Sequence, residues 1–232
     1  MYDIMSVESI FFDGECIEMA YRILFDSGRE ADLFGSKLGG LPYWDFSGDL
    51  EYPVGADGKR MQLLFQINFD EDSEVFNDDD SLPHSGMLQF FISATSGSYG
   101  LSFDDSPSDF RVVYHESVNR NVAKEDLLRE NLPKGFGDFS TPVVKECPVS
   151  FEKCGQCESS TGVFVQPEFT QDPPGFLDEG ETVYDRVLLQ LDSSCNEDFF
   201  MWGDEGIGNF FINSDDLKNR RFEKTMYNWD CC

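Results

Sequence analysis

Basic side chains are scarce in this 232-residue chain: 17 Lys and Arg stand against 45 Asp and Glu, for a net charge of −28. That deficit excludes the usual route to nucleic acid, which neutralises phosphates with Lys and Arg. Anionic membrane surfaces are disfavoured for the same reason. A basic protein partner stays open, and so does charge that simply keeps a Phe-rich chain dispersed. Long apolar runs are missing as well. None nears the ~20 residues a membrane helix needs, and the first ten residues have neither a basic nor an apolar leader segment. No Asn-x-Ser/Thr sequon occurs, and seven cysteines, an odd number, read most simply as reduced thiols. These features together point to the cytoplasm. Catalytic signatures are equally thin: two histidines, no G-x-S-x-G elbow and no Walker Lys-Ser/Thr.

What the chain does have is phenylalanine, 23 of them, and one pattern written twice. Leu63-Leu-Phe-Gln-Ile-Asn68, an acidic loop and Gly86-Met-Leu-Gln-Phe-Phe-Ile92 form the first copy. Val187-Leu-Leu-Gln-Leu-Asp192, another acidic loop and Gly206-Ile-Gly-Asn-Phe-Phe-Ile212 form the second. Gln66 and Gln190 are 124 residues apart, and Phe90 and Phe210 are 120 apart. Two near-constant offsets argue for an internal duplication, and aromatic-rich apolar segments joined by polar loops argue for strands. The expected fold is mainly β, a β-rich α+β roll with two pseudo-repeated halves and a few short helices. One compact domain spans 1–232, with pseudo-halves of about 1–116 and 143–232.

Along the chain, an apolar run at 9–12 stops at Asp13-Gly14, and a strand is expected over Ala20–Phe25. The Gly- and Pro-rich stretch Gly35–Trp44 offers no regular element. Further strands are expected at Met61–Phe69, Met87–Ser93, Phe110–Glu116, Val143–Lys153, Gly162–Gln166, Asp185–Leu191, Asn209–Ile212 and Phe222–Asp230. Ala123–Asn131 reads as a helix ending before Pro133, and Ser214 reads as the N-cap of another.

Five motifs occur in order: Ser36-Lys-Leu-Gly-Gly-Leu-Pro-Tyr43, the Leu-Leu-Phe-Gln-Ile-Asn strand, Leu82-Pro-x-x-Gly-x-Leu-Gln-Phe-Phe91, Trp202-Gly-Asp-Glu-Gly-Ile-Gly-Asn-Phe-Phe-Ile212 and Tyr227-Asn-Trp-Asp-Cys231. Across roughly residues 35 to 232 the chain thereby resembles the YwqG-like proteins, an uncharacterised family. The resemblance implies a mainly β, roll-like fold and no established activity or catalytic residue.

Each candidate site has a plain structural alternative. Cys154-Gly-Gln-Cys157 has the spacing of half a zinc site, but no second pair exists to complete it, and no helix follows to activate a thiol; plain thiols on a turn are the simpler expectation. Asp70–Asp80 holds seven carboxylates, yet it lacks the Gly and Glu of a calcium loop and reads as a solvated loop. No metal or cofactor is therefore expected. Lys37 stands in a strongly anionic half, where it either pairs with a carboxylate or holds a ligand carboxylate or phosphate. Trp44, Trp202 and Trp229 sit beside turns, where aromatics either stack a ligand or cap a core. His84 lies on a turn beside the first repeat. Asp204 is expected to accept backbone N–H groups of the turn at 205–208, as in an Asx-turn.

The speculative ligand set is thus Lys37, Trp44, His84, Trp202, Asp204 and Trp229, with no catalytic residue. The leading functional expectation is a non-catalytic acidic module that binds a basic protein, as an inhibitor of a toxin would. A small-ligand or carbohydrate module is the alternative, and a carboxylate hydrolase ranks third.

Overall fold

The computed structural model describes residues 19–93, 98–101, 109–175, 177 and 183–232, so the apolar run at 9–12 and its turn lie outside the described residues. The strands are β1 (Met19–Phe25), β2 (Lys37–Leu38), β3 (Gln62–Asn68), β4 (Met87–Ile92), β5 (Phe110–His115), β6 (Cys147–Gly155), β7 (Gly162–Val163), β8 (Arg186–Asp192), β9 (Ile207–Ile212) and β10 (Met226–Asp230). They form one sheet in the order β10-β9-β8-β7-β1-β6-β2-β3-β4-β5, antiparallel at every described pairing. Adding five to each label of the first half yields the second half in reverse order. The strand order has the symmetry that the repeated pattern calls for, with a pseudo-two-fold between β1 and β6. Those two strands are exchanged: β1 carries β7 of the other half and β6 carries β2, so neither half closes alone.

The sheet curls into a nearly closed barrel. Its edges meet through side chains rather than a ladder, Phe110 of β5 lying 5.4 Å from the Tyr227 ring of β10. Phe90 and Phe210, equivalent in the repeat, stack edge to face at 5.0 Å inside. A second core lies on the outer face, where Leu63, Met87 and Phe91 are covered by Leu33, Tyr43, Trp44 and Tyr52 of the 31–61 segment. Strands β3, β4 and β9 are consequently buried at every residue, and β8 at all but Arg186. Burial on both faces explains why they read as continuous apolar runs instead of alternating.

Among the described residues three short helices decorate the sheet: α1 (Ser73–Phe76), α2 (Lys124–Arg129) and α3 (Ser214–Lys218). Asn213, not Ser214, caps α3, its side chain accepting from Asp215 N at 2.9 Å. The acidic loop is more than a solvated connection. It contains α1, buries Phe76 completely, and turns Asp72 onto the Ser36 hydroxyl. Among the described residues, no helix is long and apolar enough to cross a membrane.

Duplication extends to defects. A bulge interrupts β3–β4 between Leu63 and Phe65, and another interrupts β8–β9 between Val187 and Leu189. One exchange inside the core is compensated. Leu82 and Leu88 of the first copy become Trp202 and Gly208 in the second. A Cβ on Gly208 would lie 2.3 Å from Cζ2 of Trp202, so the indole fills the space that a leucine takes in the other half. Gly208→Ala will destabilise the fold by about 2 kcal/mol or more through overpacking. The double replacement Trp202→Leu/Gly208→Leu will be more stable to urea than Trp202→Leu alone. Equal stability of those two variants would remove the compensation argument.

Candidate functional site

The Ser36–Tyr43 motif begins as β2, two residues wedged between β6 and β3. Gly39 and Gly40 then take φ of +61° and +80°, turning the chain out of the sheet. A Cβ on Gly39 would meet Gly135 O at 2.8 Å. The segment runs back over the outer face and is latched from beneath by the strand glutamines. Gln66 Oε1 accepts from Tyr43 N at 3.2 Å and from Gln89 Nε2 at 2.7 Å, while Gln66 Nε2 donates to Gly35 O at 2.8 Å and Leu33 O at 3.1 Å. Gln89 Nε2 also donates to Tyr43 O at 2.8 Å.

The second copy repeats this latch. Gln190 Oε1 accepts from Glu168 N at 2.8 Å, Gln190 Nε2 donates to Ser160 O at 2.8 Å, and Asn209 Nδ2 donates to Glu168 O at 3.0 Å. Even the hydroxyls correspond: Ser36 Oγ accepts from Asn68 N, and Thr161 Oγ1 accepts from Asp192 N. The glutamines that mark the repeat in sequence thus serve as clamps for a covering loop.

Lys37 breaks the symmetry. Its counterpart is Gly162, where a Cβ would run into Tyr21 O at 2.3 Å. Lys37 is only 2% exposed, and its Nζ donates to Leu41 O at 2.6 Å, Asp32 O at 2.8 Å and Leu33 O at 3.4 Å. Burial pushes its pKa down to about 8, against the pull of Glu146 and Asp32 and helped slightly by Lys124. Among the described residues no carboxylate touches the ammonium, and the ion pair expected as its structural role is not formed there. In the second half, Gln166 O, the counterpart of Leu41 O, is reached by Gln190 Nε2 at 3.2 Å instead. The scaffold therefore holds this loop without a lysine.

Lys37 forms part of the wall of a cavity of about 350 Å³ between the loop, α2 and the segment that follows it. Lys124 at the start of α2 and Lys134 beyond its end also line it, and both are exposed. Three of the eight lysines in the whole chain meet here. Glu146 is the single carboxylate of the lining, and Leu33, Leu41, Leu127 and Phe136 supply an apolar wall. Helix α2 is short because Asn131, with φ of +53°, and Pro133 end it. That turn brings Lys134 back to the rim.

His115 carries the latch one layer further. Gln89 Nε2 is committed as a donor, so Gln89 Oε1 must accept, and His115 Nε2 donates to it at 2.8 Å. The ring lies edge-on to Tyr43 and Trp44, at 5.2 and 5.0 Å. Burial drives its pKa down to about 4, with Asp45 opposing weakly.

The six residues singled out from sequence do not converge. Lys37 alone lines the pocket. Trp44 is 1% exposed and Trp202 fully buried, so neither presents a stacking face; Trp229, 7% exposed, stacks on Trp202 at 6.0 Å. All three are core residues. His84 is exposed, with Nε2 3.2 Å from Asp79 O. Asp204 is exposed and accepts no hydrogen bond among the described residues. Its turn is closed by Gly206 N donating to Trp202 O at 2.8 Å, so the expected Asx-turn is absent. Lys124, Lys134 and Glu146 were not legible as a site, because no local pattern ties them to Lys37.

The cysteine motif also departs from expectation. Cys154 is a free thiol, whereas Cys157 is disulfide-bonded. Among the described residues, no three His, Cys, Asp or Glu side chains gather to hold a metal ion.

No curated protein matches the chain. The profile of DUF1963, a domain of unknown function, matches residues 36–231, from the loop that covers the pocket to the end of β10, and the chain belongs to that family.

Proposed function

We propose that the chain binds a small amphipathic anion, a carboxylate or phosphate carried on an apolar body, in the lysine-lined pocket. The observation that carries this reading is the asymmetry between Lys37 and Gly162. Burying an ammonium costs stability, and the repeat shows that the loop closes without one. Two further lysines at the same cavity, in a chain of net charge −28, make it a local reversal of sign. Apolar walls with a few convergent polar groups are what small-ligand sites consist of. Lys124 and Lys134 would meet the anion directly. Lys37, with its protons committed to carbonyls, supplies fixed positive charge beneath it. The YwqG-like resemblance belongs to this proposal as a finer placement within the family, and it adds no activity.

The test uses octanoate and octyl phosphate, with octylamine and octanol as controls at matched ionic strength. Both anions will raise the unfolding temperature, since a ligand that binds only the folded state stabilises it by mass action. The controls will not. In Lys124→Ala/Lys134→Ala the affinity for the anions will fall at least tenfold with the unfolding temperature of the free protein unchanged, because exposed substitutions have small effects on stability. Equal stabilisation by octylamine, or undiminished binding by the double variant, would overturn the assignment.

A further inference from the structure

A second surface has the opposite sign. Residues 137–144, Gly-Asp-Phe-Ser-Thr-Pro-Val-Val, join α2 to β6. Phe139 on this loop is 88% exposed, far more than any other large apolar side chain described, and Val144 is 47% exposed. Exposure here does not come with a loose backbone. Gly137 N donates to Val143 O at 3.0 Å, Val144 N to Phe199 O at 2.8 Å and Met201 N to Pro142 O at 2.7 Å. Asp138 Oδ1 accepts from Ser140 N at 2.8 Å and from its hydroxyl. The loop is held at both ends and presents its phenylalanine outward.

Between this loop and the turn at Met201–Gly203 lies an apolar cleft of about 460 Å³, with Tyr99 in its wall. Tyr99 rests edge-on against buried Trp202 at 5.8 Å, so that wall is backed by the core. No Lys or Arg lines the cleft among the described residues, and Asp138 does. Asp204 and Glu205, exposed, continue the turn directly after Gly203. Lys145, the nearest cation in sequence, is turned onto the Phe199 ring, its Nζ 4.5 Å from the centroid. An apolar cleft with an anionic rim and a preorganised aromatic anchor has the anatomy of a docking site for a positively charged partner. A second copy of this chain is a poor occupant, since two surfaces of charge −28 repel.

We propose that this cleft docks a cationic segment of another protein, an aliphatic or aromatic anchor flanked by Lys and Arg. The anchor enters between Tyr99 and Pro142, Phe139 packs over it, and the flanking cations meet Asp138, Asp204 and Glu205. The site is separate from the lysine pocket and stands or falls independently of it.

Fluorescence anisotropy with three labelled hexapeptides tests the proposal. Lys-Arg-Leu-Phe-Lys-Arg carries charge and anchor, Lys-Arg-Ser-Ser-Lys-Arg charge alone, and Gln-Asn-Leu-Phe-Asn-Gln the anchor alone. The first will bind at least tenfold more tightly than either control, and its affinity will weaken severalfold between 50 and 300 mM salt. Phe139→Ser, which removes an exposed side chain, will lower that affinity about tenfold without moving the unfolding midpoint. Asp138→Asn/Asp204→Asn, which keeps the loop's hydrogen-bonding side chain, will lower it at least threefold. Equal binding of the charge-only peptide would assign the effect to net charge and overturn the cleft. Absence of binding, insensitivity to Phe139→Ser, or a change of oligomeric state in Phe139→Ser would do the same.

Discussion

Gln66→Leu will lower the stability of the fold by about 4 kcal/mol, a large share of the 5–15 kcal/mol that a domain has to spare. Leucine matches the volume and suits a strand, so the loss comes from partners left behind. Tyr43 N loses its acceptor, Gly35 O loses its donor, and Gln89 Nε2 and Leu33 O each keep one partner. An orphaned buried donor or acceptor costs roughly 1–3 kcal/mol, and two are orphaned outright. Gln190→Leu removes the side-chain bonds to Glu168 N, Ser160 O and Gln166 O in the same way and will cost at least as much. The two variants then differ in one respect. Gln66 holds the loop that carries Lys37 and Leu41 into the pocket, whereas Gln190 holds a loop without a pocket lysine. Below the unfolding transition, Gln66→Leu will weaken octanoate binding and Gln190→Leu will leave it unchanged. Urea midpoints within about 1 kcal/mol of the parent would show that the latch contributes little, and equal loss of binding in both would detach the latch from the site.

How far the sequence led differs by level. The repeat was legible because a glutamine in an otherwise apolar strand is a costly residue, and it recurs at the same register. Its purpose was not legible, since its partners are backbone groups of a loop about thirty residues away. The strand exchange between β1 and β6 was hidden for a related reason: antiparallel pairing over more than a hundred residues leaves no local periodicity. β2 was missed because two residues between glycines do not make a pattern. The tryptophans were misplaced by their neighbours. Gly, Pro and Asp beside Trp44 and Trp202 suggested loop mouths, yet Trp44 lies under the covering segment on the outer face and Trp202 enters the main core, since the large apolar area of an indole favours burial wherever a cover exists. Lys124 lies 87 residues from Lys37, on a helix whose sequence reads as ordinary solvated surface. Only the shortage of lysine elsewhere hinted that three in one cavity would matter.

His115 makes the latch sensitive to acid, in a window set by its own burial. In the unfolded chain its imidazole titrates near 6.5, and in the fold burial lowers this to about 4. The unfolded state therefore binds the extra proton first, and the stabilisation tied to a neutral ring is complete above pH 6.5 and lost as pH falls toward 4. A shift of this size corresponds to about 3 kcal/mol. The chemistry is local. Nε2 already donates to Gln89 Oε1, so the acid proton must enter at Nδ1, in a ring enclosed by Tyr43 and Trp44. Asp45 offers some compensation that burial outweighs. Because many carboxylates titrate in the same range, the measurement is a difference. The stability of the parent minus that of His115→Gln, whose amide can still donate to Gln89, will be level above pH 7 and will fall by about 3 kcal/mol between pH 7 and 4. A level difference throughout would mean that the ring takes up its proton without leaving the fold. If the difference falls as expected, the Gln89–Gln66–Tyr43 latch is strained in the same interval, and octanoate affinity of the folded protein will decline with it in the parent but not in His115→Gln.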